Sequence, residues 1–276
     1  MPRDIHIQVL NDTSLFDARQ LLPRSVLGFA MKGWTHWANE NLRPFPTLIR
    51  EYNFGVVVVR QSVRYEHHFD FFSANGFKVR GQVSLHQKRH LLFGELEFFN
   101  GGQRFASLNC AMRPLAIERD GDFGALPGRV EGAVLEMFQP DEIRSTPAER
   151  PLRAWMSRLA QQLPMATAVR PQLLSRHDCE AADQWSYIEV GANAATAREA
   201  MILDAAPAHR DALQLGLSQP VKAIEIEIDR PMFLFDSAEI HSAAYRNEQG
   251  LTFVHVYKSR IGGEHQHATV LEHFAA

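Results

Sequence analysis

Five ionisable side chains crowd the segment His177-Asp178-Cys179-Glu180-Ala181-Ala182-Asp183, just ahead of a run of small residues, Gly191-Ala192-Asn193-Ala194-Ala195-Thr196-Ala197. An acid in that place can do one of two things. It can cap the helix that follows, where a carboxylate meets unpaired N–H groups and the positive end of the helix dipole. It can also act on a carbonyl whose oxygen those N–H groups hold, as a base toward water or as a nucleophile. On the catalytic reading Glu180 is the base or nucleophile, His177 or Asp183 orients the water or the acid, and Asp178 completes the cluster. On the plainer reading Asp183, Asp17 and Glu180 are caps, and His177 is a surface or packed histidine.

Other residues offer weaker chemistry. Asp17 closes an Asp-x4-Asp pattern in 11–17 that is repeated in 177–183. Arg64 shares a strand face with Arg60 and Ser62, a cationic face that suits phosphate. His68 stands in His67-His68-Phe69-Asp70, and Gly191 opens the small-residue face. His265-Gln266-His267 with Glu272 has the spacing of a metal-binding strand, but alternation puts Glu272 on the other face, so no metal site is expected.

These residues need elements to hold them. Leu22, Val26, Phe29, Gly33 and Trp37 recur at helical steps and predict a helix over 18–40, with Pro23 in its first turn. A second helix is expected over 188–204. Phe77, Val79, Val83 and Leu85 alternate with polar residues, as do Ile224, Ile226 and Ile228, the period of half-buried strands. Further strands are expected at 56–65, 91–99, 104–117, 239–246, 251–258 and 265–273. The Gly101-Gly102 and Gly262-Gly263 pairs and 247–250 read as hairpin turns, which imply an antiparallel sheet.

The chain also repeats itself. Residues 11–17 lie on 177–183 at an offset of 166, Phe69–Phe72 on Phe233–Asp236 at 164, and Asn100–Gln103 on Ile261–Glu264 at 161. At the first of these offsets Ser14 falls opposite Glu180, so the acid would survive in the second half alone. Each half reads short strand, long helix, run of strands. Pro140, Pro147 and Pro151 punctuate the polar stretch between them. The expected division is a first half 1–138, a linker with a short helix 139–165, and a second half 166–276.

One long helix followed by four or five antiparallel strands, twice over, resembles the hot-dog fold in its double form. The fold class expected is therefore α+β, each half a long helix wrapped by an antiparallel sheet. Arg176-His177-Asp178-Cys179-Glu180 is similar to the segment that carries the catalytic acid of 4-hydroxybenzoyl-CoA-type thioesterases. The resemblance implies an enzyme acting on an acyl thioester, by hydrolysis or acyl transfer in a biosynthetic pathway such as polyketide or fatty acid synthesis. The leinamycin-type acyltransferase/decarboxylase is a double hot dog of similar length. It implies coenzyme A or phosphopantetheine as part of the substrate and no other cofactor, with acyl-CoA or an acyl-carrier protein as partner. The chain would be a monomeric pseudo-dimer or a homodimer. Two alternatives stay open: a dehydratase of a 3-hydroxyacyl thioester, with His67 or His68 as base, and a non-catalytic acyl-carrier-binding module.

Composition sets outer limits. The 276 residues carry a net charge of −3, which argues against a nucleic-acid binder. Two cysteines, Cys110 and Cys179, cannot make a disulfide framework. No apolar run approaches the ~18 residues of a membrane span, and no signal core opens the chain, so a cytoplasmic protein is expected. Phe outnumbers Tyr 18 to 5, which suits either a packed core or a greasy tunnel wall.

Overall fold

Buried Phe77, Val79 and Val83 alternate with exposed Lys78 and Arg80, so one strand face is sealed and the other is wet. That pattern recurs through the chain and builds two sheets' worth of strands, each set under one long helix. The computed structural model describes residues 3–118, 124–145, 150–180, 183–259 and 265–275. The chain divides into two units, Met1–Gln61 with Glu66–Glu149, and Ser62–Tyr65 with Arg150–Ala276.

The first unit runs β1 (Asp4–Leu10), α1 (Pro23–Asn41), α2 (Phe45–Tyr52), β2 (Phe54–Tyr65), β3 (Gly76–His86), β4 (Leu92–Asn100), β5 (Gln103–Glu118), β6 (Gly124–Pro127), α3 (Gly132–Glu136) and β7 (Ile143–Arg144). Its strands lie in the order β1-β3-β4-β5-β2. Neighbours from β1 to β5 are antiparallel, while the short β7 runs parallel to β3. The second unit runs α4 (Pro151–Leu159), β8 (Ala166–Leu173), α5 (Tyr187–Asp204), α6 (Pro207–Ser218), β9 (Val221–Ile228), β10 (Ser237–Asn247), β11 (Gly250–Ser259) and β12 (His265–Ala275). Its order, β8-β10-β11-β12-β9, repeats the first strand for strand. The last residues of β2, Ser62–Tyr65, belong to this unit.

Helix α1 buries Val26, Phe29, Ala30, Gly33, Trp34 and Trp37, one face at three- and four-residue steps. Gly33 packs closely against Leu96 of β4. A Cβ there would stand 3.0 Å from the Leu96 side chain. The phenylalanines fill this core. Phe69 stacks on Phe105 at 4.1 Å, and Phe29 meets Phe98 edge-on at 5.3 Å. Phe69, Phe77, Phe98 and Phe105 are all buried, so the Phe excess of this half is packing.

Some boundaries differ from the sequence reading. Helix α1 starts at Pro23 rather than at residue 18. The Asp17 carboxylate holds the N–H groups of Arg19 and Gln20, and Phe16 pairs with Leu21, so the chain is still turning there. Helices α2 and α6 were not expected. Each starts on a proline-bearing first turn, where proline is well suited but reads in sequence as a breaker. The Gly101-Gly102 turn is present, both residues at positive φ. The Gly262-Gly263 turn and Pro147 lie outside the described residues. Glu142, in the stretch after residue 138, is buried and held by Arg3 Nε at 2.8 Å and Nη2 at 2.7 Å. That contact anchors the stretch to the first unit.

Candidate active site at the head of the second long helix

Residues 177–180 fold as a turn and a short extended piece that pairs with 184–186 in front of α5. Asp178 closes a 3-10 turn over Arg176–Asp178, its Oδ2 accepting from Ser175 N at 2.9 Å and Ser175 Oγ at 2.7 Å. Cys179 then pairs with Trp185, Glu180 N donates to Gln184 O at 2.9 Å, and Ser186 N donates to Asp178 O at 2.8 Å. Residues 178–180 therefore lie alongside 184–186, the strand end that becomes the helix. Asp183 has a left-handed backbone, φ 53°, and its carboxylate pairs with Arg176 at 2.9 Å. The segment 232–234 backs the hairpin: Trp185 N donates to Met232 O and Leu234 N to Asp183 O, both at 2.8 Å. Ser186 is the N-cap of α5, its Oγ accepting from Ile188 N at 3.4 Å. So Glu180 and Asp183 are not the helix cap; a serine is.

The electrostatics separate the four candidates. Asp178 and Asp183 are committed to the turn. His177 is exposed at its outer edge. Glu180 accepts no hydrogen bond among the described residues, and the surrounding protein pushes its carboxyl up to about 7. Burial is the cause of that rise, although the residue as a whole is exposed. A carboxyl poised there can give and take a proton at neutral pH. Cys179 is the neighbouring thiol. Burial, then Asp178 and Asp183, raise its pKa, so it stays protonated.

The structure places Asp17, not Ser14, at Glu180's position. Phe16 and Cys179 each follow a 3-10 turn and each pair across to the strand end before the helix, 163 residues apart. The sequence match paired Asp12 with Asp178, but Asp12 caps its turn from the front, whereas Asp178 closes its turn from within. Both halves thus hold an acid here. Asp17 spends its Oδ1 on Arg19 N at 2.7 Å and Gln20 N at 2.8 Å.

The remaining candidates lie apart from this hairpin. Gly191 is in the second turn of α5. His68 follows β2 rather than lying in it, exposed and 3.1 Å from Asp70 Oδ2. Arg64, on β2, is paired with Glu225, which also accepts from Ser62 Oγ at 3.1 Å. Burial pushes the Glu225 carboxyl up to about 7, outweighing Arg64 and Ser62.

Sequence reasoning missed a buried polar chain under α5. Ser242 Oγ is 2.8 Å from His255 Nδ1, His255 Nε2 is 3.4 Å from Glu272 Oε2, and Glu272 Oε1 pairs with Arg198 of α5. All four are buried. Burial opposes the charge on Glu272, but Arg198 and His255 overcome it and hold its carboxyl below the ordinary range. The signal was available: Ser242, His255 and Glu272 fall on the inner face of their strands, where neighbours are apolar.

No protein-family model and no curated protein matches the chain. Solved structures do. A protein from Lactobacillus plantarum, provisionally described as an oleoyl thioesterase, is 10% identical with TM-score 0.70, over 99% of this chain and 96% of its own. An acyl-ACP thioesterase from Bacteroides thetaiotaomicron is 14% identical with TM-score 0.62, over 98% and 97%. The 12:0-ACP thioesterase of Umbellularia californica is 10% identical with TM-score 0.63, over 98% and 96%. The chain has the double hot-dog fold, α+β, with one long helix and one run of antiparallel strands in each half. No helix among the described residues is long and apolar enough to cross a membrane.

Proposed function

We propose that the protein hydrolyses an acyl thioester, with Glu180 as the general base. The observation that carries this reading is the place of Glu180, in the segment 178–180 that lies alongside 184–186 at the head of α5, with no hydrogen bond to its carboxyl among the described residues. The names of the similar structures, acyl-ACP and oleoyl thioesterases, support the substrate class.

In the reaction Glu180 takes a proton from water as the water oxygen attacks the acyl carbon. The C–S bond then breaks, and the same proton leaves with the thiol. The positive end of the α5 dipole favours the negative charge that develops on the carbonyl oxygen. Asp178 and Asp183 keep the hairpin closed, and His177 orients water at its rim. Gly191 and the alanines of α5 leave room beside the helix for the acyl group. Arg64 meets substrate phosphate when it exchanges Glu225 for it, and Asp17 and His68 mark the corresponding region of the first half. The substrate is an acyl-CoA or an acyl-carrier protein of a biosynthetic pathway, and its own phosphopantetheine is the only cofactor the chemistry requires.

The test is thiol release from a panel of acyl-CoA and acyl-carrier substrates. Glu180→Gln should lower turnover about 10²- to 10³-fold, in the range of general-base losses. Turnover unchanged by that substitution would reject the assignment. Tight binding of an acyl carrier with no turnover would favour a binding module instead.

A further inference from the structure

Strand β12 carries an extra residue opposite β11. Tyr257 pairs with Ala268 and Lys258 with Gln266, so His267 has no partner in the ladder. Such bulges re-aim a side chain, and they gather beside active sites. Here the bulge brings His267 Nε2 to 2.7 Å from Ser259 Oγ. His265, two residues earlier, goes instead to Arg230, its Nδ1 3.0 Å from Arg230 Nη1. The two histidines of the apparent metal motif therefore serve separate partners.

We propose that Ser259 and His267 form a nucleophile–base pair that accepts an acyl group from a thioester or ester. The hydroxyl and one imidazole nitrogen lie within hydrogen-bond reach, as in an activated serine, while the other ring nitrogen, His267 Nδ1, is buried with no hydrogen-bond partner among the described residues. What is fixed is the backbone of His267. Asp229 N and Arg230 N donate to His267 O at 2.8 and 3.2 Å, so the bulge is pinned to the segment that leads into 232–234, the backing of the Glu180 hairpin. The contrast with the other serine–histidine contact supports the choice. His255 is 0% exposed and joined onward to Glu272, whereas Ser259 and His267 keep 7% and 8% at the strand end. Burial pulls His267 below the ordinary histidine range, against the Pro231 and Arg230 carbonyls and the charge of Asp236, which leaves a neutral ring able to accept a proton.

In the first step Ser259 Oγ bonds to the acyl carbon and its proton passes to His267 Nε2. The C–S bond (or, for an ester, the C–O bond) breaks, and the leaving group departs with that proton. In the second step water attacks the acyl-serine and gives a proton to His267. The Oγ–C bond breaks, and the proton returns to Ser259. For a thioester donor the inference rests on the proposed function; the pair itself does not.

The test treats the full chain with an alkyl fluorophosphonate and maps the adduct by mass spectrometry. A single adduct on Ser259 is expected, lost in Ser259→Ala and formed at least ten-fold more slowly in His267→Gln. Labelling elsewhere, or none, overturns the pair, and this readout in the wild-type chain needs no variant to fold. Labelling at Ser259 without thiol release supports the pair and rejects the thioesterase reading. Thiol release without labelling does the reverse.

Discussion

Asp17 and Glu180 show how little separates a structural acid from a reactive one. They occupy the same place in the two halves. Asp17 is satisfied by two backbone N–H groups, while the Glu180 carboxyl accepts no hydrogen bond among the described residues and burial pushes it up to about 7. If Glu180 is the base, thiol release must rise as pH climbs through about 7, because the carboxylate is the working form. Glu180→Gln should flatten that limb as well as lower the rate. A pH–rate profile on one acyl-CoA checks both, and a wild-type rate independent of pH from 5 to 8 would contradict the role. The acid cluster was legible in the sequence because acids ahead of a small-residue helix are a recognisable pattern. Which acid is unpaired was not, since that depends on the hairpin. Nor was the Ser259–His267 contact, which exists only because β12 bulges by one residue.

At the scale of elements, α5 is held by an N-cap and a buried charge pair. Ser186→Ala should cost about 1 kcal/mol, the usual worth of such a cap. Arg198→Met leaves Glu272 charged and without its cation in the core, at a cost of about 3–5 kcal/mol. Adding Glu272→Leu should recover part of that loss; denaturant melts of the three proteins measure it. The two buried acids of the second unit pull stability in opposite directions with pH. Glu272 is lowered in the folded state, so its contribution is full above the ordinary value of 4.5 and is lost as pH falls through the lower folded value. Glu225 is raised to about 7, so the folded state binds the extra proton and stability declines as pH rises from 4.5 to about 7. Glu225→Gln should remove that decline while leaving the acid limb in place. Strands and long helices were legible from their periods. The missed helices α2 and α6 begin on Pro-bearing turns, and the premature start of α1 came from counting Ala18–Leu22, which Asp17 bends away.

At the scale of the whole chain the repeat is real and the fillings differ. Strand order matches element for element, β1-β3-β4-β5-β2 against β8-β10-β11-β12-β9. The first half packs phenylalanines beneath its helix, and the second places Ser242, His255 and Glu272 there. The repeat was legible from short matches, but their offset was set by chemically similar acids rather than by equivalent turns. Glu142 belongs to this scale because it bonds residues at the two ends of the first unit, receiving Arg3 as well as Gln139 N at 2.8 Å. Glu142→Ala should destabilise that unit by about 3 kcal/mol, the lower end for a broken buried pair, since Arg3 retains some contact with water. Protease cutting near residue 145 should then quicken; an unchanged cleavage rate would show the anchor to be dispensable.

The four tryptophans fall two to a unit. Trp34 and Trp37 sit 5.8 Å apart under the first sheet, while Trp155 lies against His273 and Trp185 against Tyr257 in the second. Each half therefore carries its own optical reporter. Replacing one pair with phenylalanine leaves emission from the other half alone, and the neighbouring, tilted indoles of the first should give it a separate near-ultraviolet dichroism band. Melting followed at those signals would tell whether the two halves unfold in one transition or in sequence.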